Sequence, residues 1–193
     1  MILDNEYTDE KKLVNDLIAG DDNAYRQIIN DYRAPVIRLC TGFTGSIEDA
    51  EDLAQDIFIE VFRSINKFKS RSSLSTWIYR IAVNKSLNHI RQLKASKMQR
   101  NRSIEELEHG ISESDSPEAG LVREEHAEAI HKAIGRLPLS QRTAFILSKY
   151  EELKYAEIAE IMKTSVSSVE SLLFRAKKTL QASLYDYYKK NLK

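Results

Sequence analysis

The sequence predicts an all-α protein built as two small helical domains joined by a flexible linker. Apolar residues recur at helical spacing over nearly the whole chain, and no stretch alternates like a strand. Only 6 Gly and 3 Pro occur in 193 residues, while Leu, Ile, Ala, Glu, Lys and Arg dominate, a composition that favours helices. Near the middle, "SKMQRNRSIEELEHGISESDSPEAG" breaks the period with a polar, turn-rich segment. The expected domains are therefore 8–95 and 121–188, with a linker over 96–120. A hydrophobic content of 42% suffices for two modest cores.

Each element has a local signal. The first helix is expected over about Asp9–Ala19, ended by Gly20. The second covers about Asn23–Cys40, and the third starts near Ser46, where "SIED" reads as a capping-box-like start, and runs to about Ser64. The fourth covers Ser73 to the mid-90s. After the linker, helices resume near Leu121, break at Pro138 and restart near Ser140. "YAEIAEIM" and "SVSSVESLLFRAKKTLQASLYDYY" supply the last two.

The net charge is zero, but its distribution is blocked. Residues 1–60 hold 14 acidic and 5 basic side chains; residues 61–104 hold 11 basic and none acidic. Residues 105–128 hold 9 acidic and 1 basic, and residues 129–193 hold 6 acidic and 12 basic. A basic block without a carboxylate points to a polyanion partner, since a merely solubilising surface mixes both signs. The lone Cys40 excludes an internal disulfide framework, and no segment approaches the ~20 apolar residues of a membrane span. A cytoplasmic location is expected. His89, His109, His126 and His131 lack metal-ligand spacing, and no Gly-rich phosphate loop occurs. No enzyme activity, catalytic residue, metal, cofactor or small-molecule substrate is expected.

Three helical faces remain as candidates for function. On Ser46–Ser64, at ~100° per residue, Ala50, Ala54, Ile57, Phe58, Val61 and Ile65 form one stripe. Asp49, Asp52, Asp56 and Glu60 fall nearly opposite. Only Asp49 lies in the first turn, where the helix dipole favours a carboxylate, so the row is either a solvated face or a docking ridge for a basic partner. On the fourth helix, Trp77, Arg80, Asn84, Asn88 and Arg91 share a face, with Ile78, Tyr79, Ala82, Val83, Ile90 and Leu93 turned toward a core. Lys67, Lys69 and Arg71 precede it. That set suits a platform for unstacked bases, with Asn on base edges and cations on phosphates; alternatively, Trp77 packs under the preceding loop. The third face is a helix-turn-helix spacing in "YAEIAEIMKTSVSSVESLL", with Ala159 as the small residue and Ile158, Met162, Val169 and Leu172 around it. Ser165 is the expected cap of the second helix, which exposes Ser167, Ser171, Phe174, Arg175 and Lys178 as a recognition helix would. A generic helical hairpin is the alternative. Lys163 stands where such turns often hold Gly, and Thr164 where the next residue is often apolar.

The stretch "DAEDLAQDIFIEVFRSINKFKSRSSLSTWIYRIAVNKSLNHIR" resembles region 2 of the extracytoplasmic-function group of sigma-70 factors. "LPLSQRTAFILSKYEELKYAEIAEIMKTSVSSVESLLFRAKKTL" resembles region 4 of the same group. Together they cover about half the chain, in the family's order and spacing. The resemblance implies a promoter-specificity subunit of bacterial RNA polymerase. Asp49, Asp52, Gln55 and Asp56 would meet the beta-prime clamp of core RNA polymerase. Lys69, Arg71, Trp77, Arg80, Asn84, Lys85, Asn88 and Arg91 would hold the melted −10 element, with Asn84 near a captured base. Ser167, Ser168, Ser171, Phe174, Arg175 and Lys178 would read the −35 duplex, with region 4 also meeting the beta flap. The acidic linker, with Glu105, Glu106, Glu108, Glu113 and Asp115, would thread toward the RNA exit path. An anti-sigma factor, in the family often membrane-bound, is an implied partner. Glu170 and Leu172 depart from the Lys and Arg many members carry, which puts the usual −35 sequence in question. A free-standing helix-turn-helix regulator would need neither the acidic row nor the basic platform, and a helical interaction module would leave the Trp-Arg-Asn face unexplained.

Overall fold

The computed structural model describes residues 3–103 and 129–191, with side chains over 9–96 and most of 129–189. The linker carboxylates and the expected helix start near Leu121 lie outside the described residues. Within them the elements are α1 (Leu3–Ala19), α2 (Asp22–Thr44), α3 (Ile47–Ser64), a 3-10 turn (Ile65–Lys67) and α4 (Leu74–Ser103). Residues 129–135 are helical and are labelled α5. Then come α6 (Leu139–Lys149), α7 (Tyr155–Met162) and α8 (Val166–Asn191). No strand occurs among the described residues.

The boundaries have visible causes. Gly20 takes a φ of 81° after α1, a conformation glycine adopts without a Cβ clash. Asp21 caps α2 by accepting from the backbone N–H groups of Asn23 and Ala24 at 2.7 and 3.1 Å. Ser46 caps α3 through Asp49 N–H at 3.2 Å. The Ser73 hydroxyl accepts from Thr76 N–H at 3.1 Å at the head of α4. Pro138 precedes α6, and the Glu157 carboxylate reaches back to accept from Lys154 N–H at 2.8 Å at the start of α7.

Two helices outrun their expected ends. α2 continues through Gly42 to Thr44 and stops at Gly45, whose φ is 78°. α4 continues to Ser103, into the stretch assigned to the linker. Its apolar stripe ends earlier: Ile78, Tyr79, Ala82, Val83 and Ile90 are buried, but Leu93 is 45% exposed. The expectation that Leu93 faces a core is corrected; the core ends about one turn before it.

The main core joins both halves of the chain. Leu17, Ile28, Val36, Leu39, Phe43, Ile57, Val61, Leu74 and Ile78 form it on one side; Ile146, Leu147, Ile158, Ile161 and Val169 join from α6 to α8. A smaller cluster of Ala133, Ile134, Leu137, Ala176 and Leu180 pins α5 against α8. The two helical units thus lie against one another.

Candidate nucleic-acid interface

α3 is amphipathic as its spacing dictates. Ala50, Leu53, Ala54, Ile57, Phe58 and Val61 are buried, which turns Asp49, Asp52, Gln55 and Asp56 outward, all exposed. Glu60 leaves this row, because its carboxylate lies 3.6 Å from Lys85 Nζ on α4. Beside the ridge runs an apolar groove of about 410 Å³ between α2 and α3, lined by Ile29, Ile37, Phe58, Ile59, Phe62 and Gln55. Ile29 and Ile59 are exposed there. The sequence pattern did not single out this groove, since its walls come from two helices.

On α4, Asn84, Asn88 and Arg91 are exposed, as are Lys69 and Arg71 in the loop before it. Trp77 is half-buried, its ring tilted against Phe68 with centroids 5.4 Å apart. The indole is therefore seated under the basic loop with part of its surface open. Arg91 Nη1 donates to Asn88 Oδ1 at 3.0 Å, fixing one end of the face. Lys85 is turned away from this face toward α3 by its pairing with Glu60. Arg80 Nη2 lies 3.4 Å from Glu160 Oε1 and donates to the Glu160 carbonyl at 3.3 Å. Arg80, Asn84 and Arg91 form one wall of a cleft of about 360 Å³, and Ser140, Met162 and Lys163 form part of the other.

α7 and α8 form a helix-turn-helix. Lys163 occupies the turn with a φ of 54°, the left-handed conformation for which such turns favour Gly. Ile158, Ala159, Ile161 and Val169 are buried, whereas Met162 and Leu172 are only half-buried. Ile161 takes the depth the spacing had assigned to Met162. Ser165 caps α8, its hydroxyl accepting from Ser168 N–H at 3.2 Å and lying 3.0 Å from the Ser167 hydroxyl. Ser167, Ser171, Phe174, Arg175 and Lys178 are exposed and Ser168 is half-buried. Glu170 also faces out.

The structure adds groups that sequence reasoning missed. Arg142 on α6 is buried, and donates Nε and Nη2 to the Gly42 carbonyl at 3.2 and 3.0 Å and Nη2 to the Phe43 carbonyl at 2.6 Å. Burial lowers its pKa. Glu151, whose side chain is 1% exposed, accepts from Tyr79 Oη at 2.8 Å and from Arg38 Nη2 at 3.1 Å. Burial raises the Glu151 carboxyl above its ordinary range, while its bonds to Tyr79 and Arg38 oppose that. The available signal was Gly42 inside a helix; Arg142 stands beside Gln141 and Thr143 in α6 and gives none by itself. Among the described residues no cluster of His, Cys, Asp and Glu forms a metal site, and no helix is long and apolar enough to cross a membrane.

Residues 28–96 match the family model for sigma-70 region 2, and residues 127–180 match that for sigma-70 region 4. The chain is 31% identical over 180 residues to the RNA polymerase sigma-H factor of Pseudomonas aeruginosa, covering 91% of this chain and 93% of that protein. It is 31% identical over 182 residues to the ECF RNA polymerase sigma-E factor of Escherichia coli K12, covering 91% and 94%. It is also 29% identical over 181 residues to the ECF sigma factor SigW of Bacillus subtilis, covering 91% and 97%. Among solved structures, CnrH in complex with the cytosolic domain of CnrY has a similar fold, with a TM-score of 0.67 at 19% identity over 92% of this chain and 97% of that one. The sigma factor RpoE of Bartonella quintana, solved with the anti-sigma factor NepR, gives 0.63 at 21% over 83% and 96%.

Proposed function

The chain belongs to the extracytoplasmic-function group of the sigma-70 family, and from that premise we propose which of its faces meets which partner. As a sigma factor it binds core RNA polymerase and promoter DNA and gives the enzyme its promoter specificity. Its work is recognition, with no reaction of its own, and it acts in the cytoplasm, where the DNA is. Region 2 spans about 8–95 and region 4 about 121–188, with the acidic linker running toward the RNA exit path.

Asp49, Asp52, Gln55 and Asp56 form the ridge that meets the beta-prime clamp. Their shared exposure on one side of α3 supports this, because carboxylates opposite an apolar stripe offer a basic partner a continuous target. Lys69, Arg71, Trp77, Arg80, Asn84, Asn88 and Arg91 receive the melted −10 strand. A partly open indole beside amides and cations suits unstacked bases, which need a stacking surface and edge contacts together. Lys85, paired with Glu60, joins them only by releasing that carboxylate. Ser167, Ser168, Ser171, Arg175 and Lys178 enter the −35 major groove, with Phe174 at their edge and the beta flap also meeting region 4. Glu170 on the same helix accepts from a cytosine amino group or lies beside the backbone. An anti-sigma factor holds the chain when its promoters are silent.

The observation that carries this reading is the presence, in one chain and in the family's order, of an exposed acidic ridge, a Trp-Asn-Arg face and a helix-turn-helix. Reconstitution with core RNA polymerase tests it: the chain should co-purify with core and give run-off transcripts from promoters selected by the complex. A chain that binds duplex DNA alone, as a dimer, and never associates with core would overturn it.

A further inference from the structure

Among the described residues, one cleft holds two cations without a carboxylate partner. It lies between α4, the start of α6 and the end of α7, and encloses about 360 Å³. Its lining includes Arg80, Arg91 and Lys163, and no carboxylate. Arg80 is partly neutralised from outside the lining, where Glu160 Oε1 lies 3.4 Å from its Nη2. Its described hydrogen bonds use Nη2 alone, and its Nε is buried without a partner. Arg91 is exposed and donates only through Nη1, to the neutral Asn88. Lys163 is exposed and enters none of the described ion pairs. The head of α6 adds a further positive contribution. Pro138 stands at its N-cap with no side-chain hydrogen bond, and Leu139 and Ser140 line the cleft. Open N–H groups and the positive pole of the dipole attract anions to such an end.

Lys163 also has an unusual backbone. Its φ of 54° is left-handed, where glycine is free and a Cβ is strained. The turn itself needs no lysine. Its bonds run from backbone N–H groups, Lys163 to the Glu160 carbonyl at 3.3 Å and Thr164 to the Ala159 carbonyl at 2.9 Å. A lysine in a conformation that favours glycine points to a use for its ammonium, because strained residues gather at ligand clamps. The rest of the lining is largely apolar, with Val83 and Leu87 from α4 and Ile161 and Met162 from α7. An apolar cleft of this size with a few polar groups is the usual form of a small-molecule site.

We propose that the cleft binds a nucleoside polyphosphate. Its phosphates meet Arg91, Lys163 and the head of α6, with Arg80 behind them, and its base lies on Leu87 and Met162. Guanidinium and ammonium groups are the side chains suited to phosphate oxygens, and a thioether is soft enough to lie against a base. Two unpaired cations and a helix head in one cleft match the clustered charge of a polyphosphate, whereas a nucleic-acid strand spreads its charge along the backbone. Arg80 and Arg91 also belong to the −10 face, so a bound nucleotide competes with single-stranded DNA. That consequence rests on the function proposed above; the site itself does not.

The full chain, titrated with guanosine triphosphate carrying a fluorescent methylanthraniloyl group on its ribose, tests this. Saturable binding should appear; inorganic pyrophosphate should displace the probe, and guanosine at the same concentration should not. Lys163→Gly should weaken binding ~10-fold, the lower end for a lost hydrogen bond to a charged group, because Lys163 is exposed. Glycine suits the turn, so the variant keeps its fold, which circular dichroism melting checks. Lys163→Arg restores the cation and should bind as the parent does. A mixed-sequence single-stranded oligonucleotide should also displace the probe. No saturable binding, or displacement by guanosine as readily as by pyrophosphate, overturns the phosphate site. Equal affinity in parent and Lys163→Gly overturns its location. Displacement by the oligonucleotide but not by pyrophosphate assigns the cleft to DNA and overturns the free nucleotide. An oligonucleotide that leaves the probe in place overturns the competition. The titration needs no core polymerase, so the site and the function proposed above fail separately.

Discussion

Reversing the charge of the α3 ridge should uncouple the chain from core polymerase without unfolding it. Asp52 and Asp56 are one helical turn apart, both exposed, and opposite the buried row of Leu53, Ile57 and Val61. No described hydrogen bond of the fold uses either carboxylate, so Asp52→Lys with Asp56→Lys should change folding stability by less than about 0.5 kcal/mol per site. Each exposed ion pair with a basic partner contributes ~0.2–1 kcal/mol. Reversal loses both pairs and adds two repulsions of similar size, giving ~1–4 kcal/mol, or ~5- to 1,000-fold in the dissociation constant. Circular dichroism melting checks the fold, and competition against labelled parent for core polymerase measures the affinity. The defect should shrink as salt rises from ~0.05 to ~0.5 M, since screening shortens the reach of exposed charges. A folded double variant that binds core as tightly as the parent at low salt refutes the ridge as the docking element.

The other predictions concern DNA and pH. Asn84→Ala should change base preference in a screen of −10 variants, whereas Arg91→Ala should weaken all sequences alike, because base contacts specify and phosphate contacts position; unchanged preference removes Asn84 from the reading site. Arg175→Ala should cost ~1–3 kcal/mol in promoter-complex formation if it holds a guanine, and that loss should persist on a template pre-melted at −10. Trp77→Ala should be largely rescued by the same bubble; the reverse pattern contradicts the division of labour. For pH, Glu151 has its carboxyl raised first by burial in the folded chain. The folded chain thus binds the proton more tightly than the unfolded one, so this contribution to stability is fully present below the ordinary carboxylate value of 4.5 and is lost as pH rises through the raised one. The melting temperature of the parent should fall relative to that of Glu151→Gln over that window; a difference that moves the other way contradicts the assignment.

Local chemistry made most of the fold legible. Gly20, Ser46, Ser73 and Pro138 announce helix ends because caps and breakers act within a few residues. The apolar stripes of α3 and α4 follow from helical period alone. What escaped was long-range. The helix expected to end near Cys40 runs on through Gly42, where the missing side chain makes room for Ile146. Arg142 carries no signal in the sequence of α6, yet it is buried, where it donates to the carbonyls at the end of α2. Leu93 completes a stripe whose partner surface has already ended. The outward faces were readable residue by residue, but not their surroundings: Lys85 belongs with Glu60, Arg80 with Glu160, and Trp77 rests on Phe68. Each depends on a neighbour from a different element, which no single-helix pattern contains.

The central claim is that one face of this chain holds single-stranded promoter DNA while another holds duplex, both in complex with core polymerase. Permanganate, which oxidises unpaired thymines, tests all of this on one promoter selected from a random library by the reconstituted complex. Thymines in the −10 element should become reactive with chain and core together, stay protected with either alone, and remain unreactive throughout the −35 element. Reactivity at −10 that appears equally with core alone, or melting that includes the −35 element, would contradict the account.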